Sequence, residues 1–144
     1  MKQHLSKNGF TLIELIMVII LTGILAAVAI PNLNIDGFRQ TGGFQQGIAM
    51  IRFGQKLAIT TGCQVDVLLN TTDCNLTFNG CTGATIPNPG GGGTNFCVDS
   101  DPGVNPTVNF SFDNIGAPIA GAQTINFGGG QVVTVEANTG FVYE

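Results

Sequence analysis

The sequence predicts an α+β protein in which a long N-terminal helix packs against an antiparallel β-sheet. Three patterns carry the prediction: a long apolar run at residues 10–30, apolar residues at helical spacing over 32–62, and alternating segments between glycine-rich turns over 63–144. A chain of 144 residues has room for one domain in addition to the apolar segment.

The first element is predicted to be a membrane-spanning helix. The run at 10–30 has 21 residues, and a helix of that length covers about 30 Å, the thickness of the hydrocarbon core of a bilayer. It is expected to be helical because a single segment in lipid must satisfy its own backbone hydrogen bonds. The leader MKQHLSKN carries Lys2 and Lys7, which places the N-terminus in the cytoplasm and the rest of the chain outside.

One carboxylate, Glu14, lies near the start of the apolar run. A carboxylate inside a membrane costs about 2.5–3.5 kcal/mol or more at mid-helix, and such residues commonly have partners. Glu14 therefore either lies at the level of the cytoplasmic headgroups without a further role or pairs with a polar or cationic group.

A second helical stretch is predicted over residues 32–62. Five positions follow the 3–4 spacing of one helix face and are expected to face the core: Phe44, Ile48, Ile51, Gln55 and Ala58. Each glycine at 37, 42 and 43 costs about 1 kcal/mol against alanine, so a bend or a loosened turn is expected there. Gly62 is predicted to end the helix.

The remaining segments predict antiparallel strands. In the first hairpin, Leu69 is expected to pair with Cys74 and Val65 with Phe78, around a turn at residues 70–73. Later segments alternate and are expected to turn their aromatic and apolar faces to the core: Val108/Phe110/Phe112, Ile125/Phe127, Val133/Val135 and Phe141/Tyr143.

A long loop at residues 82–106 is rich in glycine, proline and asparagine and includes PNPGGGG. A loop of this length is uncommon in a compact domain and is either functional or disordered. It is the candidate site for an adhesive or ligand-binding role.

Four cysteines follow the apolar run, and they predict two disulfides on the oxidising side of the membrane. They are Cys63, Cys74, Cys81 and Cys97. A zinc site is the rival, but the chain has no C-x-x-C pair and the spacings fit no common zinc pattern. Two pairings stay open: Cys63–Cys81 with Cys74–Cys97, which needs a bulge at Gly80, or Cys63–Cys74 with Cys81–Cys97.

The composition argues against nucleic-acid binding and catalysis. Without its first nine residues the chain keeps three basic and nine acidic side chains, which does not favour nucleic acid as a partner. The only histidine, His4, lies in the leader, so the rest of the chain has no imidazole base and no histidine metal ligand. We predict no enzyme activity, no metal and no cofactor.

The segment KNGFTLIEL, followed by the apolar run and a proline, resembles the class III leader of type IV pilins and of the pseudopilins of type II secretion. The resemblance implies that a prepilin peptidase cuts after Gly9 and methylates the new N-terminal residue, Phe10. It implies that Glu14 is needed for assembly, where it pairs with the N-terminal ammonium of a neighbouring subunit. Pro31 falls where many family members have a proline that bends the long helix.

The same resemblance implies how the chain is organised and what it contacts. Residues 1–9 would be a cleaved leader, 10–31 the transmembrane and assembly half of the helix, and 32–144 a periplasmic head. The chain would cross the inner membrane once before it joins a pilus or pseudopilus. The implied partners are the prepilin peptidase, the inner membrane and other pilins in a helical filament.

An ordinary secretory signal is the competing interpretation of the N-terminus. Ala27-Val28-Ala29 resembles a signal-peptidase site, and cleavage there would leave Ile30 as the first residue. Against this interpretation, the apolar region exceeds the usual length of about 7–15 residues and contains Glu14.

The C-terminal part, with FDNIGAP and NTGFVY, resembles the GspH/FimT branch of the family, with some likeness to MshC-like minor pilins of mannose-sensitive haemagglutinin (MSHA) pili. DNA-uptake members of this branch carry arginines near the C-terminus, and NTGFVYE has none. We therefore predict a minor pilin or pseudopilin, a structural subunit of a type IV (MSHA-like) pilus or a type II secretion pseudopilus. The alternative is an adhesive or ligand-binding tip subunit that uses the loop 82–106.

Overall fold

The computed structural model describes residues 10–29, 35–81, 83–91, 93–97 and 103–144. The chain divides into two compact units, Met1–Asn34 and Ile35–Glu144. The predicted cleavage residue Gly9 and the predicted bend at Pro31 lie outside the described residues.

The first unit contains helix α1, Leu12–Ala29, within the apolar run. Its described side chains are all exposed. No helix in the described part of the chain has the length and apolar character expected of a membrane span. The single-pass membrane location therefore stays a prediction.

The second unit begins with helix α2, Ile35–Thr61, which corresponds to the helix predicted over 32–62. The predicted core-facing stripe is confirmed at its four apolar positions, which are buried: Phe44, Ile48, Ile51 and Ala58. The helix is continuous through Gly42 and Gly43, where a bend or a loosened turn was expected. At its end, Gly62 has a φ of +68° and its N–H donates to the Ala58 carbonyl at 3.0 Å, as in a glycine-terminated helix.

The first sheet contains β1 (Gln64–Leu69), β2 (Cys74–Asn79) and β3 (Val108–Phe112), in the order β2-β1-β3. The predicted hairpin register is confirmed, since Leu69 lies opposite Cys74 and Val65 lies opposite Phe78. β3 pairs antiparallel with the other side of β1, which makes β1 the central strand. Its inward side chains are fully buried, because sheet neighbours lie on both sides and α2 contacts the same strand.

A second sheet contains β4 (Gln123–Asn126), β5 (Val132–Val135) and β6 (Val142–Tyr143), in the order β4-β5-β6. The head therefore contains two sheets instead of the single predicted sheet. The chain between β3 and β4 explains it, because the Ile119 N–H donates to the Ser111 carbonyl at 2.9 Å. That segment occupies the outer edge of β3, so β4 does not extend the first sheet there.

The last strand presents the face opposite to the one that was predicted. Phe141 and Tyr143 were expected in the core, but they are 63% and 46% exposed, whereas Val142 is 3% exposed. Val142 lies opposite Val135, which is fully buried, and directly opposed residues share one face of a sheet. The pairing with β5 thus places the valine inside and the two aromatic rings outside.

The loop 82–106 contributes to the core over part of its length. Among its described residues, Ile86 and Phe96 are buried. The Ile86 N–H donates to the Leu76 carbonyl and the Phe96 N–H donates to the Cys74 carbonyl, both at 2.8 Å. The loop therefore covers the outer edge of β2, which would otherwise present unpaired peptide groups.

Two disulfides join Cys63 to Cys81 and Cys74 to Cys97. Of the two pairings considered from the sequence, this is the one that the hairpin register permits. The second disulfide is buried, and Asn95 supports it, because its Oδ1 accepts from the N–H groups of Cys74 and Cys97 at 3.0 Å each. The start of β2 is thereby tied to the interior of the long loop.

Two polar side chains of α2 hold turns and strands of the second half of the chain against the helix. Nε2 of Gln55 donates to the Gly116 carbonyl at 3.2 Å and to the Thr139 carbonyl at 2.8 Å. Nη2 of Arg52 donates to the Val142 carbonyl at 3.2 Å. The polar member of the predicted stripe, Gln55, therefore acts by hydrogen bonding to two turns rather than by apolar packing.

Two glycines allow α2 to approach the strands closely. A Cβ at Gly47 would lie 2.6 Å from Cε1 of Phe127, and a Cβ at Gly54 would lie 3.0 Å from Cδ2 of Leu76. The Phe127 ring is held in place, because it is buried and packs edge-to-face on Phe44 with ring centroids 5.1 Å apart. Glycine has a low helix propensity, so α2 gains its close contact with the sheets at some loss of intrinsic helix stability.

Alanine substitutions at Gly42 and Gly47 distinguish the effect of helix propensity on stability from the effect of packing. Gly42→Ala meets nothing within 4 Å and should raise the free energy of unfolding by about 0.5–1 kcal/mol. Gly47→Ala should lower it by about 1–3 kcal/mol, because the new methyl group overlaps the Phe127 ring. Urea denaturation followed by circular dichroism measures both changes. Equal gains in stability would show that the ring moves aside freely.

Candidate functional site

The surface of α1 is the candidate functional site of the first unit. Every described side chain from residue 10 to residue 28 is exposed, Phe10 at 78% and Leu12 at 76%. The apolar residues follow one another along the helix and surround it, instead of forming a stripe on one side. Such a helix is typical of a segment that is buried in lipid or among other helices.

Thr11 caps the start of α1. Its Oγ1 accepts from the N–H of Glu14 at 3.3 Å, and its carbonyl accepts from the N–H groups of Glu14 and Leu15 at 3.1 and 3.2 Å. Thr11 and Glu14 have the three-residue spacing of a capping box. The sequence signal for this cap is T-x-x-E at residues 11–14, and it gives Glu14 a local position in the helix start besides its place in an apolar segment.

The Glu14 carboxylate is favoured by its position in the helix, and the described residues offer it no partner. It lies in the first turn of α1, where the positive end of the helix macrodipole stabilises an acid. The side chain is exposed, and none of the described residues donates a hydrogen bond to the carboxylate or forms an ion pair with it. It can therefore accept a cation from another molecule without giving up an internal contact.

The other polar side chain within α1, Thr22, is satisfied by the helix itself. Its Oγ1 donates to the Val18 carbonyl at 2.8 Å and to the Ile19 carbonyl at 3.0 Å. A hydroxyl bonded in this way needs no water, so it is compatible with apolar surroundings. Glu14 is thus the polar side chain of α1 for which the described residues provide no partner.

The second unit has a small apolar pocket between α2 and the loop 82–106. Its volume is about 220 Å³, below the range of about 300–1,000 Å³ that is usual for small-molecule sites. It is lined by Gln46, Ala49, Met50, Phe53, Asn88, Pro89 and Phe96. In the part of the chain that the structure describes, no three His, Cys, Asp or Glu side chains are grouped so as to hold a metal ion.

The residues that the sequence singled out fall into two groups. Phe10 and Glu14 lie together at the start of α1, and the neighbouring Gly9 and the more distant Pro31 lie outside the described residues. The four cysteines form the disulfides of the second unit and carry no reactive thiol. The candidate site is therefore the N-terminal helix, and the cysteines are structural.

Comparison with known proteins gives one match. The prokaryotic N-terminal methylation motif matches residues 5–30, a range that includes Gly9, Glu14 and all of α1. No curated protein and no solved structure matches the chain. The class III leader implies cleavage by a prepilin peptidase, assembly with other pilins and a membrane-anchored subunit.

The architecture of the second unit agrees with this match, because a long helix packed on antiparallel sheets is pilin-like. Together, the leader motif at residues 5–30 and the helix-on-sheet head support a structural subunit of the type IV pilin or pseudopilin kind.

Proposed function

We propose that the chain is a minor pilin or pseudopilin that joins a helical filament, either an MSHA-like type IV pilus or a type II secretion pseudopilus. The observation that carries the proposal is the exposed apolar surface of α1. Each Å² of apolar surface left in water costs about 25 cal/mol, so this surface is stable only in lipid or against other apolar helices. A filament built on such helices provides the second environment.

Before assembly, the apolar run anchors the chain in the inner membrane in a single pass. Lys2 and Lys7 support an orientation with the leader in the cytoplasm and residues 32–144 in the periplasm. The two disulfides of the head support the same orientation, because disulfides persist in the oxidising periplasm.

Prepilin peptidase then cuts after Gly9 and methylates Phe10. The match of the methylation motif supports this position for the cut. The geometry of α1 is compatible with it, because Phe10 precedes the capping residue Thr11 and the helix begins at Leu12. Cleavage there leaves the helix and its cap intact, whereas a secretory cut after Ala29 would remove α1.

In the filament, Glu14 pairs with the new N-terminal ammonium of an adjacent subunit. Burial of either charge alone in apolar surroundings costs several kcal/mol, because an unpaired buried ion loses its hydration. The carboxylate of Glu14 is exposed, and none of the described residues is a partner that would have to be released. The pair therefore forms only when two subunits meet in register. Pro31 is expected to bend the helix between the assembly half and the head.

The head supports a minor rather than a bulk role. Its C-terminal segments resemble the GspH/FimT branch, and its long loop is tied down by a buried disulfide. The C-terminal strand carries no arginine, so nucleic acid is not among the proposed partners. The proposed partners are the prepilin peptidase, the inner membrane and other pilins.

A second candidate function is adhesion or ligand binding by the loop 82–106. The apolar pocket favours it, since Pro89 and Phe96 from the loop face Met50 and Phe53 from α2. Its volume suits one apolar side chain or a small ring rather than a cofactor.

Two substitutions of Glu14 distinguish charge pairing from helix capping. Glutamine keeps the capping-box pattern without the charge, and alanine removes both. If the carboxylate pairs with a neighbour's ammonium, both variants are processed normally and both are lost from filaments. Immunoblots of sheared filaments and of membranes measure incorporation and processing.

Thr11→Ala is the matched control for this experiment. It removes the cap, at a cost of about 1 kcal/mol to the helix start, and keeps the carboxylate. This variant should still enter filaments. Wild-type incorporation of Glu14→Gln would show that the charge is dispensable and would contradict the pairing.

The mature N-terminus tests the proposed processing. Mass spectrometry of the wild-type protein should give residues 10–144 with one methyl group on the Phe10 nitrogen. Gly9→Leu should leave the leader uncut, because a bulky side chain replaces the glycine before the scissile bond. A mature chain that begins at Ile30 would instead establish ordinary secretory cleavage.

Two proline substitutions test the adhesive alternative. Pro89 lines the pocket, whereas Pro87 is exposed outside it. If the pocket binds a ligand, Pro89→Asp should abolish adhesion while filaments persist, and Pro87→Asp should change neither property. Adhesion assays and electron microscopy of the same strains provide the two measurements. Normal adhesion by both variants would remove this alternative.

A further inference from the structure

We propose that Asn79 is a site of spontaneous modification, at which the side-chain amide is lost and an aspartate or isoaspartate remains. Asn79 is the last residue of β2 and is followed by Gly80. This is the only Asn-Gly step in residues 10–144. The other one in the sequence, Asn8-Gly9, belongs to the leader. The inference concerns the head and does not depend on the proposed function.

The reaction needs only the chain itself and water. The backbone nitrogen of Gly80 gives up its proton to solvent base and attacks Cγ of Asn79. The Cγ–Nδ2 bond breaks, ammonia leaves, and a five-membered succinimide closes. Water then adds to one of the two ring carbonyls, which gives aspartate if the original peptide bond is restored and isoaspartate if the chain continues through Cγ.

The backbone at Gly80 is open to this attack. Gly80 is exposed, and its N–H donates to no acceptor among the described residues. Its φ is +80°, so the chain leaves the sheet at this residue. Glycine has no Cβ to obstruct the approach of its nitrogen to the preceding side chain. The nucleophile is thus accessible and free of backbone pairing.

The side chain of Asn79 is held by one hydrogen bond at the surface. Its Nδ2 donates to Oδ2 of Asp66 at 2.9 Å, and both groups lie on the outward face of the first sheet. One surface hydrogen bond is a weak restraint against a slow covalent reaction. Since Asn79 itself is exposed, water has access to the succinimide.

Other exposed asparagines in the head serve as internal references. Asn114 precedes Ile115 and Asn138 precedes Thr139, and both asparagines are exposed. In each case the following residue is β-branched, and its side chain crowds the nitrogen that would attack. Exposure is therefore matched among the three sites, and the residue after the asparagine differs.

The product would change the outward face of the sheet. Asp66 would lose the donor of its 2.9 Å hydrogen bond and face a second carboxylate instead. Two like charges in such proximity repel each other. The altered residue lies two positions before Cys81, which ties the end of the hairpin to Cys63. Modification therefore adds negative charge and weakens the sheet edge next to this disulfide.

The test is incubation of the purified full-length protein in detergent at mildly alkaline pH, followed by peptide mapping with mass spectrometry. The expected result is progressive loss of the Asn79 amide, with aspartyl and isoaspartyl peptides separated by chromatography, while Asn114 and Asn138 stay intact. The wild-type protein is compared with Asn79→Gln, whose longer side chain cannot close the five-membered ring, and the glutamine should persist.

Two outcomes would overturn the proposal. One is that Asn79 keeps its amide for as long as Asn114 and Asn138 do. The other is that Asn79 is modified in denaturant but not in the folded protein, which would show that the fold protects the site.

The consequence is tested with Asn79→Asp. It should lower the midpoint of thermal unfolding relative to Asn114→Asp, which adds the same charge at another exposed position. Equal midpoints would overturn the inference that the Asn79–Asp66 contact is disrupted.

Discussion

The packing of α2 against two separate sheets is the contact on which the head depends. No ladder joins the two sheets among the described strands, and α2 contacts β1, β2, β3 and β6 as well as the glycine turn at 128–130. The buried stripe of the helix supplies the apolar part of this contact, and Gln55 and Arg52 supply the polar part. Gly47 and Gly54 bring the helix close enough for both. The helix therefore acts as the common support of otherwise independent sheets.

Groups of the head itself bond to three of its four described edge strands, β2, β3 and β6. Loop residues bond to the outer edge of β2, the segment at 117–119 bonds to the edge of β3, and Arg52 bonds to an outward carbonyl of β6. Exposed sheet edges can pair with strands of other chains, so these contacts limit non-specific association. The long glycine-rich loop has a structural role of this kind over part of its length, and the buried disulfide at Cys97 holds it there.

The N-terminal helix has the opposite character. α1 satisfies its backbone start through Thr11 and its internal hydroxyl at Thr22, but it buries none of its described apolar side chains. Its stability in water would be poor, and lipid or neighbouring helices would improve it. A head that completes its own core and a helix that needs external apolar partners are the physical basis of a subunit that assembles through its N-terminus. In the proposed filament, Glu14 is the polar element that would make such packing dependent on register.

The sequence by itself determined the leader motif, the two helices and the first hairpin, because each depends on local periodicity or on a contiguous motif. The 3–4 spacing identified the buried face of α2, and alternation in two adjacent segments was enough to set the register of Leu69 and Cys74. The assembly role of Gly9, Phe10 and Glu14 stays a prediction from the leader motif, and the capping contact of Thr11 with Glu14 is an addition of the structure. Only the tertiary structure decided the division into two sheets, the burial of Ile86 and Phe96, and the outward position of Phe141 and Tyr143. These features depend on which strand or edge lies opposite each segment. Alternation shows that every second side chain of a strand shares one face, but only the pairing partner decides which of the two faces is buried.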